Sequence, residues 1–219
     1  VEVVRLPDHT MVRTLESNEK AAKAFNKLKR SPAKFFRIGI DDVALDAYRI
    51  DPPDMEATKR YPVLVHVYGE PAGSTVMNRW GGSRGLWHRM MVPRGRAFRK
   101  SVYRQVGTLG PNDQAAAIRQ MLAESPQMDA ERVGVWGWSG GGTSTLHGVF
   151  RFPDLYRTGV AVAPVANLNY YDTIYEERYM GLPTANVEGY RDGSPIRFAH
   201  QLKADLLIIH GTADDNVHY

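Results

Sequence analysis

The chain has 219 residues, 43% of them apolar and 24% charged, a balance that fits one globular domain and excludes a disordered chain. Its net charge of +4 arises from 28 basic and 24 acidic side chains, mostly interleaved apart from short basic clusters such as Arg94, Arg96, Arg99 and Lys100, so a solvated surface is expected and not a nucleic-acid face. Cysteine is absent, which excludes disulfides, thiolate catalysis and Cys-based zinc sites, and no apolar run approaches the roughly 18 residues a membrane helix needs.

In chain order, residues 1–6 form a β-like run, and Asp8, His9 and Thr10 supply turn chemistry. Helix formers from 14 to 29, with Leu15, Ala22, Phe25 and Leu28 near helical spacing, predict a charged surface helix joining two bodies. Its start is not marked, because Ser17 followed by Lys20 is not a full capping box. Residues 35–40 and 43–50 read as a β-hairpin around Asp41 and Asp42, ended by Pro52 and Pro53. Residues 61–68, YPVLVHVY, read as a strand buried on both faces of a parallel sheet, broken afterwards by Gly69, Pro71 and Gly73.

Helical patterns follow at 85–92 and 113–124, and short buried strands at 133–136, 159–162 and 206–210. Strands alternating with helices predict an α/β fold with a mainly parallel sheet. At Val92-Pro93 one helical stretch meets the next without a strand, where about ten to twenty residues are needed. Loss of an interior strand would open the core, so the expectation is that these residues are missing from the sequence as read and not from the protein.

The sharpest motif is Gly137-Trp138-Ser139-Gly140-Gly141, placed between the strand at 133–136 and a helix-compatible run at 142–150. A G-x-S-x-G bend of this kind holds a serine in a strained backbone conformation with its hydroxyl above the sheet, as in an α/β-hydrolase fold. A serine needs a base to take its proton, and the base needs an orienting carboxylate. In chain order the acid follows the serine, and Asp214, in the loop after the strand at 206–210, is the candidate; its neighbour Asp215 is the second choice. Of the seven histidines only His218 follows Asp214, and four residues leave no room for the usual intervening loop, so the base is expected beyond Tyr219.

These blocks, together with Ala163-Pro164-Val165, Tyr170-Tyr171-Asp172 with Tyr175, 177–183 and 210–218, resemble the prolyl oligopeptidase family and its dipeptidyl peptidase IV branch. The resemblance runs from about Pro32 onward. It implies a hydrolase domain over 31–219, incomplete at its C-terminus, with 1–30 as the exit and connecting helix of a β-propeller. It implies Ser139 as nucleophile and Asp214 as acid, with the Tyr68 hydroxyl and the Gly140 amide facing the oxyanion. Tyr171 and Tyr175 would bind the substrate's N-terminus and wall a proline-sized pocket. Val165 and Val217 would be further walls, and Asn216 a donor to a substrate carbonyl. Read without the resemblance, Tyr170, Tyr171, Tyr175 and Tyr179 are better taken as packing aromatics of core and surface.

Departures from the family pattern are Gly140 where a tyrosine is common, Leu168 where a tryptophan is familiar, and Glu70 where a small residue is usual. The first two leave the pocket less filled. The implied activity is a serine exopeptidase releasing N-terminal Xaa-Pro or Xaa-Ala dipeptides, without metal or organic cofactor. An acylaminoacyl peptidase, an oligopeptidase or an esterase would use the same site, and a catalytically dead binding subunit is the reading from another class. The implied partners are a peptide substrate, the N-terminal propeller of the same protein and, as a family tendency, a second copy in a homodimer. Secretion or a periplasmic location follows only by the same analogy.

Overall fold

In the computed structural model, residues 2–27, 31–40, 43–69, 76 and 102–219 are described. The expected helix at 85–92, the junction at Val92-Pro93, the basic cluster at 94–100 and the substitution at Glu70 lie outside them. The chain divides into two units, one of Val1–Pro32 with Asp51–Met55 and one of Ala33–Ile50 with Glu56–Tyr219.

In the smaller unit, strand β1 (Glu2–Val4) pairs antiparallel with β2 (Met11–Thr14), and helix α1 covers Glu19–Asn26. The helix is shorter than its apolar spacing predicts. Met11–Thr14 is taken by strand pairing, and Asn18, at φ 54, starts the helix by accepting from Ala22 N at 2.8 Å.

The larger unit opens with the hairpin β3 (Ala33–Ile40) and β4 (Val43–Ile50), registered Phe36↔Ala47, Ile38↔Leu45 and Ile40↔Val43. Strand alternation sends Ile38, Leu45 and Ala47 to one face, which packs with Phe36 and Ile40 on Ala117 and Met121 of helix α2 (Leu109–Glu124). Full burial of each large apolar side chain there contributes about 1.5–3 kcal/mol.

A four-stranded sheet, in order β5 (Tyr61–His66), β6 (Met128–Trp138), β7 (Thr158–Val162) and β8 (Asp205–Ile209), is parallel throughout. Helix α3 (Gly140–Arg151) follows β6, and Leu146, Val149 and Phe150 of α3 pack with Val65, Val133, Val135 and Ala161 of the sheet. Beyond β7 come a 3-10 turn at Leu168–Tyr170, helix α4 (Thr173–Met180), helix α5 (Val187–Gly193) and a 3-10 stretch at Pro195–Gln201.

Burial departs from expectation at both margins of this sheet. Leu64 of β5 is 48% exposed, and Leu207, Ile208 and Ile209 of β8 are each about half exposed, although both runs read as buried. Among the described residues each of these strands pairs along one side only, so an apolar run alone does not bury it. No described helix is long and apolar enough to cross a membrane.

Candidate active site

Strand β6 ends at Trp138 and α3 begins at Gly140, leaving Ser139 as the single residue of the bend. Its φ of 56 and ψ of −123 lie where a residue with a Cβ is strained by about 1–3 kcal/mol. The neighbouring strand holds it there, since Ser139 N donates to Val162 O at 2.8 Å. The flanking glycines have a steric reason. A Cβ on Gly137 would run into Gly141 O and Val67 O, and one on Gly141 would meet Val67 O and sit 3.2 Å from Tyr68 Cα. Their bare backbones bring the end of the β5 segment, and with it Tyr68, beside the bend.

Helix α3 takes its first intrahelical bond at Thr143 N, which donates to Ser139 O at 3.0 Å. The amides of Gly140, Gly141 and Gly142 therefore have no partner within the helix, as at any helix N-terminus, where the field also favours an anion. The Thr143 hydroxyl accepts from Val165 N at 2.9 Å and donates to Val165 O at 3.0 Å. Thus the first turn after the serine pins the backbone of Val165.

Ser139 opens into a cleft whose lining includes Tyr68, Gly140, Val165, Leu168, Tyr171 and Tyr175. Tyr175 is carried by α4, and Tyr171 directly precedes that helix's cap. Asp172 caps that helix by accepting from Tyr175 N at 2.7 Å, and the Tyr171 and Tyr175 rings meet edge-on at 5.7 Å. Tyr170, by contrast, is 83% exposed and outside the lining. Thr143, Val106 and the buried Glu176 also line the cleft, and sequence reasoning missed all three. Val106 is held by its amide on Met180 Sδ at 3.2 Å and packs with Leu168, a contact between segments far apart in the chain.

The register of the parallel sheet places Trp138, Val162 and Ile209 side by side, so the ends of β6 and β8 are about 10 Å apart at the usual strand spacing. Asp214 follows β8 at this same sheet edge. Its Oδ1 accepts from Asn216 N at 3.1 Å and from Val217 N at 3.0 Å. These two amides, Val217 first, hold its carboxyl below the usual carboxylate range, against a small opposing effect of burial. Asp214, Asn216 and Val217 do not line the cleft, but Tyr171 OH donates to Asn216 Oδ1 at 3.3 Å and joins their loop to its wall.

Among the described residues no histidine hydrogen-bonds to Ser139, and no group of three or more His, Asp and Glu side chains could hold a metal ion. His66 packs on Trp136 at 4.6 Å. His147 is fully buried with Nε2 2.9 Å from Gly193 O, and burial lowers its pKa to about 4.

The model of the prolyl oligopeptidase family matches residues 92–219. The bovine protein named prolyl endopeptidase FAP is 34% identical over 95% of this chain, and the cat dipeptidyl peptidase 4 is 33% identical over 95%. This chain spans 29% of the length of each. The crystal structure of Porphyromonas gingivalis dipeptidyl peptidase 4 superposes with a TM-score of 0.89 at 34% identity, covering 99% of this chain and 33% of that one. The larger unit thus has the α/β-hydrolase fold.

Proposed function

The chain belongs to the prolyl oligopeptidase family, and from that premise we propose that its full-length protein is a serine exopeptidase releasing N-terminal Xaa-Pro or Xaa-Ala dipeptides. The observation that carries this reading is Ser139 at positive φ, between strand and helix, at the head of a tyrosine-walled cleft. Its Oγ attacks the scissile carbonyl carbon while its proton passes to a histidine base, which the resemblance puts beyond Tyr219. The resulting oxyanion takes hydrogen bonds from the Gly140 amide and the Tyr68 hydroxyl. Collapse expels the peptide amine with the proton from the histidine, and water then releases the dipeptide from the acyl-enzyme. Asp214, kept ionised by the amides on Oδ1, orients the histidine through Oδ2. Val165, Val217, Tyr171 and Tyr175 surround the residue before the cut, and Asn216 binds a substrate carbonyl. A β-propeller of the same protein would select the free N-terminus, and assembly would be as a homodimer.

Hydrolysis of a Gly-Pro chromogenic amide by the full-length protein tests this. Turnover of Gly-Pro with little action on acetyl-amino-acid or N-blocked Gly-Pro substrates supports it, and the opposite preference refutes the exopeptidase reading. One observation favours a second, endo-acting reading, namely the name of the bovine relative. Cleavage of the N-blocked substrate would choose it.

A further inference from the structure

We infer that His210 is a positioning residue for the acid of the site, acting through the backbone of Val217. The inference rests on Asp214 being that acid. Ile209, the last residue of β8, is fixed to the sheet because its carbonyl accepts from Ala163 N at 2.8 Å. The chain then leaves the sheet at His210, whose Nε2 lies 2.7 Å from Val217 O. A carbonyl can only accept, so Nε2 carries a hydrogen and donates it to Val217 O.

Val217 is thereby gripped at both of its backbone groups. Its N–H goes to Asp214 Oδ1 at 3.0 Å, and its C=O receives His210. The loop becomes a closed ring of bonds anchored to the sheet edge, and Asp214 sits inside it. Oδ1 is used by the loop, while Oδ2 has no hydrogen-bond partner among the described residues and lies 3.7 Å from His210 Nε2. That separation is beyond a hydrogen bond, and the ring's hydrogen is already directed at Val217 O. His210 therefore does not occupy the oxygen that a base would use; it holds the loop that aims it. The same loop carries Asn216, bonded to Tyr171, so its placement also reaches the cleft.

Without the His210 bond, the Asp214 carboxylate is held only by amides of its own loop, and among the described residues no other hydrogen bond ties that loop's far end to the end of β8. A displacement of about 1 Å at such a site lowers turnover by up to about 100-fold. The test uses full-length enzyme, with kcat expressed per Ser139 titrated by a fluorophosphonate, so that misfolded molecules do not count. His210→Phe keeps the ring volume without the donor, and His210→Gln offers an N–H at similar reach. Expected results are kcat down about tenfold for His210→Phe, a smaller change in KM, and recovery of most of the rate in His210→Gln. Equal kcat in the two variants, or wild-type kcat in His210→Phe, overturns the inference. Asp214→Asn is the control on the underlying reading: if it turns over at the wild-type rate, Asp214 is not the acid, whatever His210 does. If it is inactive while His210→Phe is normal, the acid stands and the inference about His210 falls.

Discussion

The serine bend and the acid loop sit at the same edge of one sheet but are built in opposite ways. The bend lies in the sheet's interior and is held by backbone crowding: Gly137, Gly141 and Gly142 press against Val67, Val162 and Pro164, with all of α3 but Arg151 buried behind them. The loop after β8 is mostly exposed to solvent and is held by hydrogen bonds accepted by Asp214 and donated by His210. A nucleophile in a strained conformation needs surroundings that cannot relax, whereas a carboxylate needs only direction and a retained charge. Packing supplies the first, and amide donors supply the second.

Substitutions that alter charge in the loop and packing at the bend sharpen this contrast. The largest effect is expected from Asp214→Asn. The amide oxygen can still accept from Asn216 N and Val217 N, so the loop and the melting temperature should hold while kcat falls by about 10⁴-fold. A parallel collapse of stability would show the loop to be more than an electrostatic mount. Tyr68→Phe comes next. Loss of one oxyanion donor should lower kcat by about 10²–10³-fold with little change in KM, measured on the same dipeptide substrate.

Gly141→Ala should act the other way round, on the fold. The new Cβ meets backbone at Val67 and Tyr68 that has no flexible end to move, and overpacking of this kind costs about 1–3 kcal/mol or more. Urea unfolding checks it, and an unchanged midpoint would mean that the bend can relax. At neutral pH the smallest effect is that of His147, buried behind the bend, whose influence appears only on acidification. Burial, with a minor contribution from Arg151, holds its pKa near 4, while the carbonyl of Gly193 opposes the shift. In the unfolded chain the imidazole takes a proton below about 6.5, and the folded protein refuses it until about 4. Stability should therefore fall as pH drops through that window, by at most roughly 3 kcal/mol. His147→Gln should flatten the dependence; an equal slope in both proteins would exclude His147 as its source.

How much of this was readable beforehand differs between the two regions in the same way. Local rules suffice for the bend, because three glycines and a serine between an apolar run and a helix leave one backbone solution. The hairpin register Ile40↔Val43 was equally local. Contacts between distant segments left no trace in pattern: Thr143 on Val165 and Val106 on Met180 each use residues with blander explanations nearby, and even the short-range bond of His210 to Val217 has no pattern of its own. The exposure of β8 was misread for a related reason, since an apolar run reports what a strand can bury and not what covers it. Strand β2 has no pattern of its own over residues 11–13, and at Thr14 the helical spacing gives way to strand pairing.

The claim on which the rest depends is that Ser139 Oγ is the nucleophile. Full-length protein treated with a fluorophosphonate and digested for peptide mass spectrometry should carry one adduct, on the peptide holding Gly137-Trp138-Ser139-Gly140-Gly141, and Ser139→Ala should carry none. An adduct on another residue, or an active protein that resists the reagent, would contradict the account.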